Sequence, residues 1–505
     1  MRYGTFRYGD GTKYGEGLHE TQLWAVFIDW DGDGIFDYVN EGSRMTSLLG
    51  RRGRQHQLKS DGSGFEMVDV GQLTIQLDNA DGRFNAFNTK SPLYPLVRPG
   101  VNIKVQTKLP ESGTLCDVFT GKIDDIVPVS GINERVEIIA VDGLRWLDGQ
   151  EVVLHIQGNK SLNEAIGLTL TESAWPWGID LETSTDIVPW FWAPTNTKIR
   201  QLLSDLASAY LGVFFVGAGG EAKFYTRNHD FSAVKLRLVQ DEISTEIQTR
   251  SPWDVIKNNI SFTCHPRAVK NTAVIVWALY DKPAITAGAS FEVWGTYNLN
   301  NEEVPIVAYQ FPVAGTDYQV NTAADGTGTD LTASCSVNVT VYANQVLYKI
   351  TNNSGSNGFI TVMQFRTDPL VPSEATVTLS DAASKSLYGP KSLVIDSLFL
   401  QNSNLINDLA NALLLLLKDP QSYPTIKIID RPELQYTVDL FDNIDLIVDK
   451  LGISDTFRIG YIEHEWLTET GQATQTILTL EPVNNTLTTF WQFPTQIGID
   501  SIFTF

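Results

Sequence analysis

Cysteine is scarce in this chain of 505 residues, with only Cys116, Cys264 and Cys335. Far apart and odd in number, they build neither a disulfide framework nor a C-x-x-C metal site, and read as small buried apolar side chains. Basic residues are in deficit: 37 Lys and Arg stand against 59 Asp and Glu, a formal charge of −22. Neutralising a phosphate backbone needs a basic face, so a nucleic-acid grip is excluded, as is attraction to anionic membrane surfaces. Long apolar runs are missing too. The densest, residues 412–417, falls far short of the roughly 20 residues of a membrane span. The opening MRYGTFRYGDGTKYGEG has no apolar core, so no signal peptide is expected. Catalytic signatures are also lacking. His19, His56, His155, His229, His265 and His464 fall into neither HExxH nor HxxxH spacing, no G-x-S-x-G elbow occurs, and GDGTKYGEG lacks the order of a phosphate loop.

What the chain does have is apolar content, 43% against 19% charged, enough for ordered cores in roughly three to four domains. The pattern predicts a mainly β, multidomain fold with α+β inserts. Residues 1–22 repeat an aromatic-Gly theme at Tyr3-Gly4, Tyr8-Gly9 and Tyr14-Gly15 and read as an extended arm. Over 23–154 strand follows strand: Leu73, Ile75 and Leu77 alternate with polar neighbours, as do Val101, Ile103 and Val105, and Val136, Ile138 and Ala140. That period of two, broken by Asp/Asn/Gly turns, predicts an antiparallel β-barrel or sandwich. Residues 155–235 predict a small α+β domain. In it Ser161 and Glu164 form a capping box, a helix over 197–210 has Ile199, Leu202, Leu203, Leu206 and Tyr210 on one stripe, and a hairpin follows. Connecting strands are expected over 236–269 and an inserted β-sandwich over 270–380, where charges thin out. Residues 381–485 carry one helix, 404–418, with Ser403 or Asn404 as its cap, then strands; 486–505 read as a C-terminal tail.

The sharpest local motif is Asp29-Trp30-Asp31-Gly32-Asp33-Gly34-Ile35-Phe36-Asp37. Carboxylates at relative positions 1, 3, 5 and 9 with glycine at 6 match the first part of a calcium loop, since alternate side chains converge on one centre. Asn40 stands where the bidentate Glu belongs, and a strand precedes the loop in place of a helix. Calcium on Asp29, Asp31, Asp33 and Asp37 is thus one reading, and an Asp/Gly-rich turn without metal is the other. Glu463-His464-Glu465 reads as an ordinary strand at a sheet edge, with His464 on the side of Ile462 and Trp466. Trp175, Trp177, Trp190 and Trp192 gather near Pro176, Pro189 and Pro194. Such a cluster either stacks on sugar rings or plugs a gap between domains, and the plug is the plainer reading.

Several stretches resemble the minor tail proteins of long-tailed bacteriophages: DWDGDGIF at 29–36, GRRGR at 50–54, and above all LTIQLDNADGRFNAFNTKSPLYPLVRPGVNIKV at 73–105. FTGKIDDI at 119–126, VDGLRWLDG at 141–149, the helix and hairpin within 196–227 and DAASKSLYG at 381–389 follow in order. The resemblance implies a tail-tip or baseplate hub, a structural protein and not an enzyme. Barrel-like hub domains at 23–154 and 381–485 would build a homotrimeric ring with pseudo-sixfold symmetry. It would match a hexameric tail tube to trimeric fibres or a spike in the virion, after synthesis in the host bacterial cytoplasm. Implied partners are the distal tail ring protein, the tape-measure protein and tail fibre or spike proteins, with viral DNA passing through unbound. The residues expected to carry the structure are Asp78, Asn79, Asp81 and Gly82 in a turn, and Phe84, Tyr94, Pro95, Pro99 and Gly100 after it. Asp381, Tyr388 and Gly389 are expected at the return from the insertion. Two alternatives stand beside the hub: a receptor- or polysaccharide-binding tail module, and a hexameric distal tail ring protein.

Overall fold

Alternating apolar residues have to hide one face of each strand, and in the computed structural model they do so mainly within one large sheet. The structure describes residues 6–7, 13–14 and 23–483, save 38, 60, 132–133, 228, 230–233, 241–246, 271 and 468–472. The 486–505 tail lies outside the described residues, and so does the arm apart from Phe6–Arg7, which pairs with Lys13–Tyr14.

The large sheet has twelve strands. Its path runs from Ile247–Arg250 through Tyr423–Ile429, Thr474–Pro482 and Ile453–Leu467 to Met45–Gly53, Asp69–Asp78, Arg135–Val141, Leu115–Val129, Asn102–Lys108 and Leu23–Ile28. Asn443–Val448 also pairs with Ile453–Leu467, and carries Val234–Val239 beside it in parallel. The six N-terminal strands close over a core of Leu73, Ile75, Leu77, Ile103, Val105, Val136 and Ile138, into which Tyr436 and Trp466 reach from the C-terminal part. The C-terminal strands share a second, larger core with the two helices Leu162–Glu172 and Ile199–Ala209. Ile453–Leu467 therefore lies inside the sheet with neighbours on both sides, which corrects the expectation of an edge at Glu463-His464-Glu465.

Local signals explain the helices. Glu164 accepts from the Ser161 backbone N–H at 2.9 Å, completing the capping box. Ile199, Leu202, Leu203 and Leu206 are buried along one stripe, with Tyr210 at the end. The helix Ser403–Leu417 is capped by Asn402, one residue before Ser403 and two before Asn404: with extended backbone, it accepts from the Asn404 N–H at 3.0 Å. Between Arg267–Val269 and Gly358–Pro372 the chain forms a six-stranded sheet built on Gly358–Pro372 and a three-stranded sheet of Ser290–Thr296, Gln345–Asn352 and Cys335–Val341. These strands enclose a third core that includes Tyr297, Val320, Tyr348, Ile350 and Phe365. Among the described residues no helix is long and apolar enough to cross a membrane.

Candidate functional site

The two halves of the large sheet meet where Met45–Gly53 pairs with Ile453–Leu467, from Ser47 opposite Leu467 to Gly53 opposite Tyr461. This seam is lined with charge. The GRRGR segment distributes its arginines by strand alternation: Arg51 reaches Glu463 at 3.0 Å, Arg52 turns inward to Asp439 at 2.7 Å, and Arg54 clasps Glu481 at 2.8 and 2.9 Å. Arg458 adds a second contact to Glu481 at 3.3 Å, and Lys223 stands 3.6 Å from Asp439. Arg54 and Arg458 each lie 5.4 Å from the Phe441 ring centre. Burial works to raise both carboxyls, but Arg52 with Lys223 holds Asp439, and Arg54 with Arg458 holds Glu481, below the usual carboxylate range. His464, buried beside Thr476 at 2.9 Å, is pushed down to about 3 by burial and then by Arg52. Gly53 has no freedom to change: at φ +106°, a Cβ there would stand 2.2 Å from the Gly460 carbonyl oxygen.

The residues expected to carry turns do so. Asn79 is buried and accepts from the Phe84 N–H at 3.1 Å; Asp78 accepts from Ala80 and Asp81 from Arg83. Gly82 takes φ +65°, Phe84 is fully buried, and Gly100, at φ +87° after Pro99, donates to the Ile123 carbonyl at 2.7 Å. The Tyr94-Pro95 peptide is cis. Asp381 caps Ala382–Tyr388 through the Ser384 N–H at 2.8 Å and pairs with Lys418 at 3.1 Å, while Gly389 ends the helix at φ +75°.

In the acidic loop Asp29, Asp31 and Asp33 bring one carboxylate oxygen each within 4.8 Å of one another. Asp37 does not belong to this group; its carboxylate accepts from the Trp30 N–H at 3.0 Å. The donor set is all oxygen, the kind a hard cation such as calcium takes. The buried Asp29 oxygens already accept from Gly32, Asp33, Gly34 and Asn102 at 2.8–3.1 Å, so an ion there would share them.

The four clustered tryptophans separate into two pairs. Trp175 and Trp177 meet edge to face at 5.1 Å, with Lys122 5.8 Å from Trp177. Trp190 sits on Ile187–Lys198, where its backbone exchanges hydrogen bonds with Gln401. Trp192 packs against Ala343 and Leu370 and so plugs the gap to the 270–380 region. Of the seam residues, Arg52 and Arg54 entered the sequence analysis only within the GRRGR segment, with no pairing role, and Asp439, Arg458 and Glu481 were not singled out. The signal available was a charged residue at an inward position of an otherwise apolar strand, as in ILTLEP at 477–482.

No family model matches this chain, and no curated protein does. Among solved structures, the tail protein from Neisseria meningitidis matches with a TM-score of 0.50 at 10% identity, covering 91% of this chain and 96% of its own. The prophage MuSo2 tail protein from Shewanella oneidensis gives 0.48 at 10% identity over 91% and 98%. Prophage tail protein gp18 from Listeria monocytogenes gives 0.44 at 8% over 92% and 97%. At such identities the likeness is one of fold: the mainly β, multi-sheet architecture is shared with the Neisseria tail protein.

Proposed function

We propose that this chain is a structural component of a phage tail tip, a hub of which three copies close a ring between the hexameric tail tube and trimeric fibres or a spike. The observation that carries the reading is the seam. Two β-bodies of one chain, assigned to 23–154 and 381–485, are locked by a continuous backbone ladder and by the Arg52–Asp439 and Arg54–Glu481 pairs. Three copies of such a rigid pair present six β-bodies around a threefold, a surface suited to a hexameric partner. The fold shared with the Neisseria tail protein supports placement in a tail. In this reading the function is structural, and the buried charges of the seam serve to hold its two sides together, Arg52 with Asp439 and Arg54 with Glu481. Partners in this reading are the distal tail ring, tape-measure and fibre or spike proteins. DNA would pass without sticking, since a trimer carries three times −22. Asp29, Asp31 and Asp33 would hold a calcium ion, with Asp37 shaping the loop from the Trp30 side.

The test is the mass of the purified protein by light scattering. A trimer of about three times 56.0 kDa is expected. A hexamer would replace the hub with the distal ring reading, and a monomer across the micromolar range would remove the self-closing ring.

A further inference from the structure

Arg267 occupies an awkward position for a cation. It opens the strand Arg267–Val269 and lies over the Trp192 ring at 4.5 Å, and its Nε is buried without a hydrogen-bond partner. Burial lowers its pKa to about 10, and no carboxylate among the described residues acts to restore it. A half-buried guanidinium stacked on an aromatic ring, with no carboxylate paired to it, is a ready receptor for an anion. A second group nearby is also unmet. Asn344 is 4% exposed; its Nδ2 donates to Glu303 at 2.5 Å, but its Oδ1 is buried with no donor.

Both groups line one cleft of about 540 Å³ between Ile187–Lys198 and the base of the 270–380 region. That is room for a small organic ligand and far more than a water needs. Glu302, Glu303 and Glu374 stand on the same walls as ready acceptors for hydroxyl groups. His265 is already held by Asp396 at 2.6 Å. Pro194, Pro305 and Pro372 add apolar surface on which the C–H face of a ring can rest.

We propose that this cleft binds a uronic-acid unit of an acidic polysaccharide, with the sugar carboxylate on Arg267, one hydroxyl donating to Asn344 Oδ1 and others to the rim glutamates. The groups on the walls favour this class. A neutral sugar leaves Arg267 unpaired, and a ligand without hydroxyls offers nothing to the glutamate acceptors. An acidic peptide satisfies Arg267 but brings few hydroxyls to the glutamates. The site goes beyond the hub reading and does not rest on it, since binding is read on the full chain whatever its oligomeric state.

Calorimetric titration of the full chain with tri-galacturonate, the neutral galactose trimer, penta-glutamate and inorganic sulfate tests the proposal. Saturable binding of tri-galacturonate alone is expected. Arg267→Met, which keeps the contact with Trp192, should weaken it about tenfold or more, the loss of a charge-assisted hydrogen bond. Its melting temperature should stay at or above that of the parent, which separates lost binding from lost folding. Arg267→Lys, with the charge but not the fork, should fall between. No binding of tri-galacturonate, equal binding of the neutral trimer, or affinity indifferent to Arg267→Met would each overturn the proposal. So would binding of penta-glutamate or sulfate without tri-galacturonate, pointing instead to a protein carboxylate or a simple oxyanion.

Discussion

Asp142 caps the short helix Gly143–Leu147, accepting from the Leu144 N–H at 3.0 Å while fully enclosed. Burial raises its carboxyl to about 7 against the pull of its backbone hydrogen bonds and of Arg52 and Arg200. A raised carboxyl pKa means that the fold favours the proton. Its contribution to stability is complete below the ordinary Asp range and is lost as pH climbs from about 4 to about 7. His464 acts in the opposite sense: its folded pKa is depressed to about 3, so stability present above about 6.5 is lost as pH falls through that window. The two offset each other between about pH 4 and 6.5. Asp142→Asn, which keeps the cap, should therefore raise the melting temperature at pH 8 and steepen the acid loss of stability; melts at a series of pH values read both. Arg54→Ala leaves Glu481 buried with only Arg458 at 3.3 Å, and should cost about 3 kcal/mol in denaturant titration. A loss below about 0.5 kcal/mol, ordinary for surface pairs, would show that the clasp does not hold the halves together.

Strands and loops carry the next predictions. Gly53 combines a left-handed backbone with direct contact against the facing strand, so Gly53→Ala has to push Met45–Gly53 and Ile453–Leu467 apart. A cost of at least about 2 kcal/mol is expected from chemical unfolding. In the acidic loop, calcium at 100 times its dissociation constant would add about 2.7 kcal/mol. Chelator should then lower the melting temperature, and Asp31→Ala should abolish that sensitivity; an unchanged melt would leave the loop as a self-capped turn built on Asp29. At this scale much was legible in the sequence. The capping box at Ser161, the stripe on Ile199–Ala209 and the alternation of Asp69–Asp78 are local patterns enforced by backbone periodicity, and each appears where its residues stand. The cap at Asn402 was missed because three adjacent residues, Asn402, Ser403 and Asn404, all have capping side chains, and only the backbone angles select one.

The whole molecule depends on pairings that span the chain. Arg54 and Glu481 are 427 residues apart, and Gly53 faces Tyr461. The cores of 155–235 and of the C-terminal strands, which look separate in sequence, are one continuous cluster from Leu162 to Leu480. The tryptophans show the same limit: four residues close in sequence serve two places, and Trp192 packs with Ala343 and Leu370 of the insertion and under the guanidinium of Arg267.

By itself the sequence determined which segments are strands or helices, which turns need glycine or a capping Asp or Asn, and that the fold is mainly β. Each of these follows from the chemistry of neighbouring residues along the backbone. Only the tertiary structure decided that Ile453–Leu467 is an interior strand, that GRRGR forms a buried clasp with Asp439 and Glu481, and that Arg267 faces a cleft with no carboxylate paired to it among the described residues. A strand's inward face is visible in its alternation. Which strand lies beside it is set by long-range packing and charge complementarity, and these exist only once distant segments have met.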